Sequence, residues 1–279
     1  MKAVFDDVSL RCSKLTTKSY STSFSLAIKL LGRQHRDPIY AIYGFVRFAD
    51  EIVDTFHDFD KASLLTRFRQ DTYQAIAEGI SLNPILNSFQ TAVRRYNIPM
   101  ELIDTFLDSM AMDLHQQTYD QKDFEKYILG SAEVVGLMCL CVFVNGDMAR
   151  YKELEYYAMR LGSAFQKINF LRDMNADYLG LGRAYFPGLN VEHFDEATKR
   201  RIEEDIAKDF ADGLKGIKLL PKDARLGVYI AYVYYMRLFN KIRSLPHTRV
   251  LEERVRIPNQ RKYALFVGSY VRHQFNIIV

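Results

Sequence analysis

Apolar side chains recur along most of this chain at three- and four-residue intervals, the spacing that lines one face of an α-helix. No stretch sustains the two-residue alternation of a half-buried strand. The period predicts helices near 7–31, 61–78, 100–117, 123–145, 148–179, 195–217, 222–244 and 259–275. Two further starts are marked by a capping side chain followed by proline, Asp37 before Pro38 and Asn83 before Pro84. Proline suits the first helical turn because its missing N–H would have no partner there. The fold class read from this pattern is all-α. Glycine and proline, 14 and 7 in 279 residues, form no cluster that would mark a linker, so residues 1–279 read as a single domain. The longest irregular stretch is GLGRAYFPGLNVEHF, residues 180–194, and a loop of that length in a helical domain is a candidate for function.

Composition narrows the function classes. With 48% hydrophobic and 26% charged residues, the chain is neither disordered nor a small cross-linked scaffold. The net charge of +4, from 38 basic and 34 acidic residues, is too balanced for nucleic-acid binding, and no nucleic-acid module is visible. A basic, anion-receiving site must therefore be local. Cys12, Cys139 and Cys141 form neither a disulfide framework nor a metal-ligand spacing, which points to a reducing compartment. The N-terminal MKAVFDDVSLRCSK carries acids where a signal peptide needs an apolar core, so a cytoplasmic location is expected. The longest apolar run, Val134–Val144, falls short of the roughly 20 residues needed to cross a bilayer and reads as a buried helix. Aromatic residues are abundant, 18 Tyr and 19 Phe, as in the group Tyr40, Tyr43, Phe45 and Phe48. Ordinary helix packing accounts for them, and so does an apolar cavity between helices.

Two segments carry candidate chemistry: IYAIYGFVRFADEIVD, residues 39–54, and SAFQKINFLRDMNAD, residues 163–177. Each has aspartates four apart, Asp50 with Asp54 and Asp173 with Asp177, so that a helix places both on one face within reach of a shared cation. Like charges so placed destabilise a helix by roughly 0.2–0.5 kcal/mol unless a cation or solvent compensates. The spacing alone is unspecific, since Asp54/Asp58, Asp104/Asp108 and Asp205/Asp209 share it. Asp50 and Asp173 differ in following apolar runs that predict burial, and each has an arginine close by, Arg47 and Arg172. Guanidinium forks suit phosphate oxygens, and Mg²⁺ bridges carboxylates to the same oxygens, so a diphosphate would satisfy both. A structural network of buried ion pairs is the competing reading. A dinuclear iron or manganese bundle lacks its Glu-x-x-His elements, and zinc chemistry lacks HExxH among six scattered histidines.

Both segments, in this order, resemble the two aspartate-rich motifs of the squalene/phytoene synthase family, the head-to-head isoprenoid synthases. The similarity begins at YSTSFSLAIKLL, residues 20–31, continues through YGFVRFADEIVD, 43–54, and YILGSAEVVG, 127–136, and ends with QKINFLRDMNADYLGLGRAYFP, 166–187. The resemblance implies an all-α isoprenoid synthase bundle with a central apolar cavity. It assigns Asp50 and Asp54 to one metal claw, and Asp173 and Asp177 with Asn169 to the other, with Mg²⁺ expected and Mn²⁺ as a substitute. Glu51 stands where aspartate is usual. Tyr20, Ser21, Ser23, Arg47, Gln166, Arg172 and Arg183 take diphosphate-holding positions, Tyr20 where some relatives have histidine. Phe24 and Tyr43 resemble aromatics near the reacting carbons. Arg183 and Tyr185 match the loop after the second motif, one residue further from Asp177 than in many phytoene synthases. Without the family context, Ser21 and Ser23 read equally well as helix caps, Arg183 as solvated and Tyr43 as packing. The small residues Gly130, Ser131, Ala132 and Gly136 fit close helix packing or a kink that makes room for a prenyl chain.

The implied activity is a Mg²⁺-dependent prenyltransferase, first a phytoene synthase that joins two geranylgeranyl diphosphates without NADPH, as in carotenoid biosynthesis. Squalene or dehydrosqualene synthesis from farnesyl diphosphate is the alternative, with NADPH for squalene. A noncatalytic helical assembly protein derived from the family is the alternative of another class, opposed by the intact acidic pairs. A water-insoluble product suggests transient, peripheral contact with a membrane, which the basic stretch ERVRIPNQRK, residues 253–262, would assist, although solvated helix-end charge also explains it. No pattern in the chain reads out an oligomeric state.

Overall fold

The computed structural model describes residues 1–115, 118–189, 194–252 and 254–257. Among these residues the chain forms α1 (Lys2–Tyr20), α2 (Thr22–Lys29), α3 (Arg33–Asp54), α4 (Lys61–Glu78), α5 (Pro84–Tyr96), α6 (Met100–Met112), α7 (Gln121–Ile128), α8 (Val134–Phe143), α9 (Met148–Ala176), α10 (Glu196–Leu219), α11 (Lys222–Arg243) and α12 (His247–Glu252). A π-helical turn, Leu129–Glu133, joins α7 to α8, and a second, Asp177–Leu181, extends α9. The described residues contain no strand. A single isolated parallel bridge links Thr118 to Ala184. The all-α expectation holds.

Several predicted boundaries move, each for a local reason. The helix expected over 7–31 is two helices, because Ser21 is extended (φ −144°, ψ 105°) and its hydroxyl accepts the Phe24 N–H at 3.2 Å to cap α2. The start expected at Asp37 falls at Arg33, so Pro38 lies inside α3. The N–H that Pro38 lacks would have bonded the Gln34 carbonyl, and the Tyr96 hydroxyl donates to that oxygen instead, at 3.3 Å. The start at Asn83 is found: its side chain accepts the N–H groups of Ile85 and Leu86 at 3.0 and 3.4 Å. The helix expected over 100–117 stops at Met112, and the one expected over 259–275 lies outside the described residues.

Helix α1 buries a polar seam rather than an apolar one. Ser9, Ser13 and Thr17 face inward, Ser13 Oγ lies 2.6 Å from Ser88 Oγ, and the Asn87 amide donates to Ser9 Oγ at 3.1 Å. Across from Ser13 stands Gly44, where a Cβ would fall 2.9 Å from Ser13 Oγ, so α3 and α1 approach more closely than a side chain would allow. The apolar core forms two clusters. One is centred on Phe45, fully buried and stacked on Phe89 with ring centroids 3.9 Å apart. The other gathers Phe170, Tyr185, Phe210 and Phe239 from α9, α10, α11 and the segment after the second π turn. Val228 on α11 packs against both. The segment Gln121–Phe143 is long and apolar enough to match a membrane span, but 56% of its most apolar window is buried inside the fold.

Candidate active site

Between the two clusters lies a cavity of about 320 Å³ walled by α2, α3, α8 with its π turn, α9, α10 and α11. Its lining is almost wholly apolar and includes Leu31, Ile39, Val135, Phe143, Leu161 and Ala231. Polar atoms gather near the acidic segments of α3 and α9, where Ser131, Gln166, Asn169, Tyr43 and Tyr235 contribute to the wall. The π turn settles the role of the small residues in α7–α8. Gly130 presses on α6, where a Cβ would meet Ser109 Cβ at 2.5 Å, whereas Ser131, Ala132 and Gly136 line the cavity. Close packing and a widened wall are both present.

One helical turn beyond the cavity-lining Val46, α3 supplies the first acidic pair. Arg47 forms ion pairs with Asp50 and Glu51, and its guanidinium lies 4.3 Å from the centroid of the exposed Tyr20 ring. Asp50 and Asp54 are half-buried, each with a third of its side-chain surface open, so the burial expected for Asp50 is only partial: its helix face borders the cleft, not the core. Desolvation, with repulsion from Asp54, still pushes the Asp50 carboxyl up to about 7. Ser21 caps α2, and Ser23 sits half-buried in the first turn of that helix. Phe24 stands 5.9 Å from Tyr43 and 6.1 Å from Tyr235, ring to ring, and all three line the cavity. Burial raises the Tyr43 phenol to about 12.

The second pair comes from the end of α9. Arg172 Nε donates to Asp173 Oδ1 at 3.0 Å, and Arg254, from the C-terminal segment, reaches the same carboxylate at 2.7 Å. The Asp173 side chain is 19% exposed, again a cleft position rather than a core one. Burial first, then Asp173 and Asp54, push the Asp177 carboxyl up to about 7. Asn169 donates to Gln166 Oε1 and accepts from the Tyr235 hydroxyl, both at 3.3 Å, and Gln166 donates to Ser131 Oγ at 3.3 Å. The chain then reverses at Gly182, whose φ of +66° favours glycine, and the Arg183 N–H returns to the Asp177 carbonyl at 3.0 Å.

That reversal buries Arg183, 6% exposed and therefore not solvated. It links the first pair to the core: Nη1 donates to Asp54 Oδ1 at 2.7 Å and to the Tyr185 hydroxyl at 3.2 Å, while Nη2 donates to the Asp113 carbonyl at 2.9 Å. Asp113 was not among the sequence candidates. Its carboxylate accepts the hydroxyls of Tyr119 at 3.1 Å and Tyr127 at 2.6 Å, and burial pushes it up to about 6 against the pull of Arg183. Tyr185 stacks on Phe170 at 4.1 Å and stands 5.1 Å from Tyr127 and 5.2 Å from Tyr119. Burial followed by the Asp113 charge raises the Tyr185 phenol well above its ordinary value. The segment from Arg183 to Phe186 is thus folded into the core rather than looped out, while residues 190–193 of the expected loop lie outside the described residues.

The structure therefore brings the sequence candidates to one region, and it disposes of the competing acid pairs: Asp58 lies past the end of α3, off the helix face that carries Asp54. Asp104 accepts from Tyr73, Asp108 from Arg69, and Asp205 and Asp209 both hold Lys167. Residues missed from sequence are Asp113, Tyr119, Tyr127 and Arg254. An acid at the negative end of a helix dipole asks for a reason, but Asp113 lost that signal when its helix was extended to 117. Asp50, Asp54, Asp173, Asp177 and Asn169 offer the hard oxygen donors that suit Mg²⁺ or Mn²⁺, and the unfavourable ionisation of Asp50 and Asp177 is relieved by a cation. No three acidic, histidine or cysteine side chains converge on one point among the described residues. Mg²⁺ commonly binds through one or two carboxylates, with phosphate oxygens and water completing its shell, so paired donors meet that demand.

Comparison with known proteins decides the family. A family model described as squalene/phytoene synthase matches residues 17–261. The chain belongs to the squalene/phytoene synthase family. Members of this family are prenyltransferase-type enzymes that act on isoprenyl diphosphates. A 4,4'-diapophytoene synthase of Staphylococcus haemolyticus is 24% identical over 89% of this chain and 92% of its own. A phytoene synthase of Mycobacterium tuberculosis is 26% identical over 73% of this chain and 65% of its own length. The crystal structure of a dehydrosqualene synthase superposes with a TM-score of 0.84 at 21% identity, covering 97% of this chain and 98% of that one. That of a squalene synthase from Alicyclobacillus acidocaldarius gives 0.75 at 22% identity, covering 86% and 95%. The two structures show the shared fold.

Proposed function

We propose that this chain is a Mg²⁺-dependent head-to-head prenyl synthase that condenses two geranylgeranyl diphosphates to phytoene and releases two diphosphates. The observation that supports it best is the placement of two acidic pairs and three arginines beside an apolar cavity, where a charged head and a prenyl tail are accommodated together. The chemical problem is to break an allylic C–O bond without losing the cation to water. Arg47, Arg172 and Arg183 sit where they can hold diphosphate oxygens, and such charge is worth several kcal/mol to a departing anion in a dry site. Mg²⁺ bound to Asp50, Asp54, Asn169, Asp173 and Asp177 would neutralise that leaving group further. Phe24, Tyr43, Phe165 and Tyr235 wall off water and present ring faces to the allylic cation.

The double bond of the second diphosphate attacks that cation, and loss of a proton closes a cyclopropylcarbinyl diphosphate. A second C–O cleavage, rearrangement and proton loss then give the hydrocarbon. The proton acceptor is a diphosphate oxygen, since burial keeps the Tyr185 phenol neutral and its oxygen already accepts from Arg183, and no redox cofactor enters. A second reading, farnesyl diphosphate as substrate with a dehydrosqualene or squalene product, draws support from the 4,4'-diapophytoene synthase and dehydrosqualene synthase relatives. Cytoplasmic location with transient bilayer contact belongs to the same proposal. The test supplies purified protein and Mg²⁺ with C15 or C20 diphosphate, with and without NADPH, and identifies the hydrocarbons. Phytoene from the C20 substrate supports the first reading, a C30 product from the C15 substrate replaces it with the second, and no hydrocarbon from either rejects both.

A further inference from the structure

Asp113 is an expensive residue to keep. Its side chain is 3% exposed, it caps the negative end of α6, and the Asp54 carboxylate lies close enough to raise its proton affinity. The hydroxyls of Tyr119 and Tyr127 use separate oxygens of this carboxylate, Oδ1 and Oδ2, so it satisfies both while carrying its charge into the core. What a neutral side chain cannot supply is counter-charge for Arg183. The Asp113 main-chain carbonyl accepts from Nη2 at 2.9 Å, and the carboxylate adds a negative charge, with Oδ1 3.6 Å from Nη1. Asp54, the other carboxylate on Arg183, is a third exposed and faces the cleft. If Asp54 turns toward a cation or substrate, Asp113 remains as the buried counter-charge beside Arg183, while Asp50 and Asp177 act on it from the cleft. The Thr118–Ala184 bridge ties the backbone beside Tyr119 to the backbone beside Arg183, so both ends of this contact belong to one unit.

We infer that Asp113 is a positioning residue that acts through Arg183: its carboxylate keeps the buried guanidinium in place by charge while its main-chain carbonyl fixes Nη2, so that Nη1, once released by Asp54, is available to the leaving diphosphate. Asp113 does not line the cavity. The inference rests on the reading of this site as a prenyl diphosphate synthase, and two separate measurements keep the two apart.

The experiment is a double-mutant cycle of Asp113→Asn with Arg183→Gln, followed by turnover of the prenyl diphosphate and, independently, by calorimetric titration with inorganic diphosphate in excess Mg²⁺. Asp113→Asn alone is expected to lower kcat about thirtyfold with KM changed less than about threefold, because the anion develops fully only on ionisation. It should weaken inorganic diphosphate about tenfold. In the Arg183→Gln background both losses should shrink to about twofold or less, since the group through which Asp113 acts is gone. Asp113→Glu, which restores the charge, should recover more activity than Asp113→Asn, the opposite of what crowding a structural site would give. Equal losses in both backgrounds, or an unchanged kcat and diphosphate affinity, overturn the inference. Should Asp113→Asn fail to fold, Asp113→Glu is carried through the same cycle: a loss confined to the Arg183 background supports it, and a loss in both rejects it. If the wild type forms no hydrocarbon, the functional reading falls and the diphosphate titration alone decides Asp113.

Discussion

Replacing Asp177 by asparagine should stabilise the metal-free protein while destroying its activity. In the fold this carboxyl is pushed from its ordinary value near 3.8 up to about 7, by burial first and then by Asp173 and Asp54. At 1.36 kcal/mol per decade of proton affinity, that rise corresponds to a ceiling of about 4 kcal/mol against the ionised native state. Solvent in the cleft and the charges of Arg183 and Arg172 reduce it, and a gain of about 1–2 kcal/mol for Asp177→Asn at pH 8 is the expected size. The sign follows from linkage. Below about pH 4 both states of the wild type hold the proton and nothing is lost; between about 4 and 7 the unfolded chain has released it while the native state retains it, so wild-type stability falls; above 7 the loss is complete. The advantage of the variant therefore grows with pH across that window and levels off beyond it. Urea unfolding of both proteins in chelator at pH 5 and pH 8 measures it, with thermal midpoints expected to move about 2–4 °C per kcal/mol. Mg²⁺ should then raise the wild type more than the variant, because a ligand stabilises only the state that binds it. An Asp177→Asn protein less stable than wild type at pH 8, or a difference that does not change with pH, would refute this reasoning.

Asp50→Asn should abolish diphosphate release, as should chelation of Mg²⁺, with the far-ultraviolet helical signal intact; turnover that survives either treatment contradicts the metal assignment. Ala231→Phe fills part of the cavity wall on α11 and should shift preference toward the shorter prenyl diphosphate, read as the ratio of kcat/KM for C15 over C20. Tyr96→Phe removes the hydroxyl that meets the Gln34 carbonyl left free by Pro38 and should cost about 1 kcal/mol in urea unfolding. That cost should vanish in a Pro38→Ala background, where the backbone N–H returns to the same carbonyl.

What the sequence made legible follows from how each feature is encoded. The long helices repeat an apolar face over many turns, and α10 and α11 fall within two residues of their expected bounds. Helix α1 hides its packing in Ser9, Ser13 and Thr17, and the break after it depends on one backbone conformation at Ser21, which no periodicity records. Pro38 misled because proline marks a helix start only when the carbonyl four residues earlier has no other donor, and here a tyrosine from α5 supplies one.

The site divides along the same line. The acidic pairs were visible because i and i+4 belong to one helix face, so the chemistry is written in adjacent turns. Arg183 and Asp113 are seventy positions apart and meet only because Gly182 reverses the chain after α9 and because α6 ends at Met112, both decided by tertiary packing. The consequence is electrostatic as well as topological. Four arginines, Arg47, Arg172, Arg183 and Arg254, each pair with a carboxylate of one of the two motifs, so the metal-free site is already neutralised by cations belonging to the chain. A divalent cation that took those carboxylates would free the guanidiniums together, at the place where two diphosphates bring the negative charge they suit. On this reading the ion pairs of the empty cleft hold the arginines in register for the next anion to arrive. Arg183, whose Nη2 is held by the Asp113 carbonyl outside both motifs, is then the one whose position should depend least on whether metal is bound.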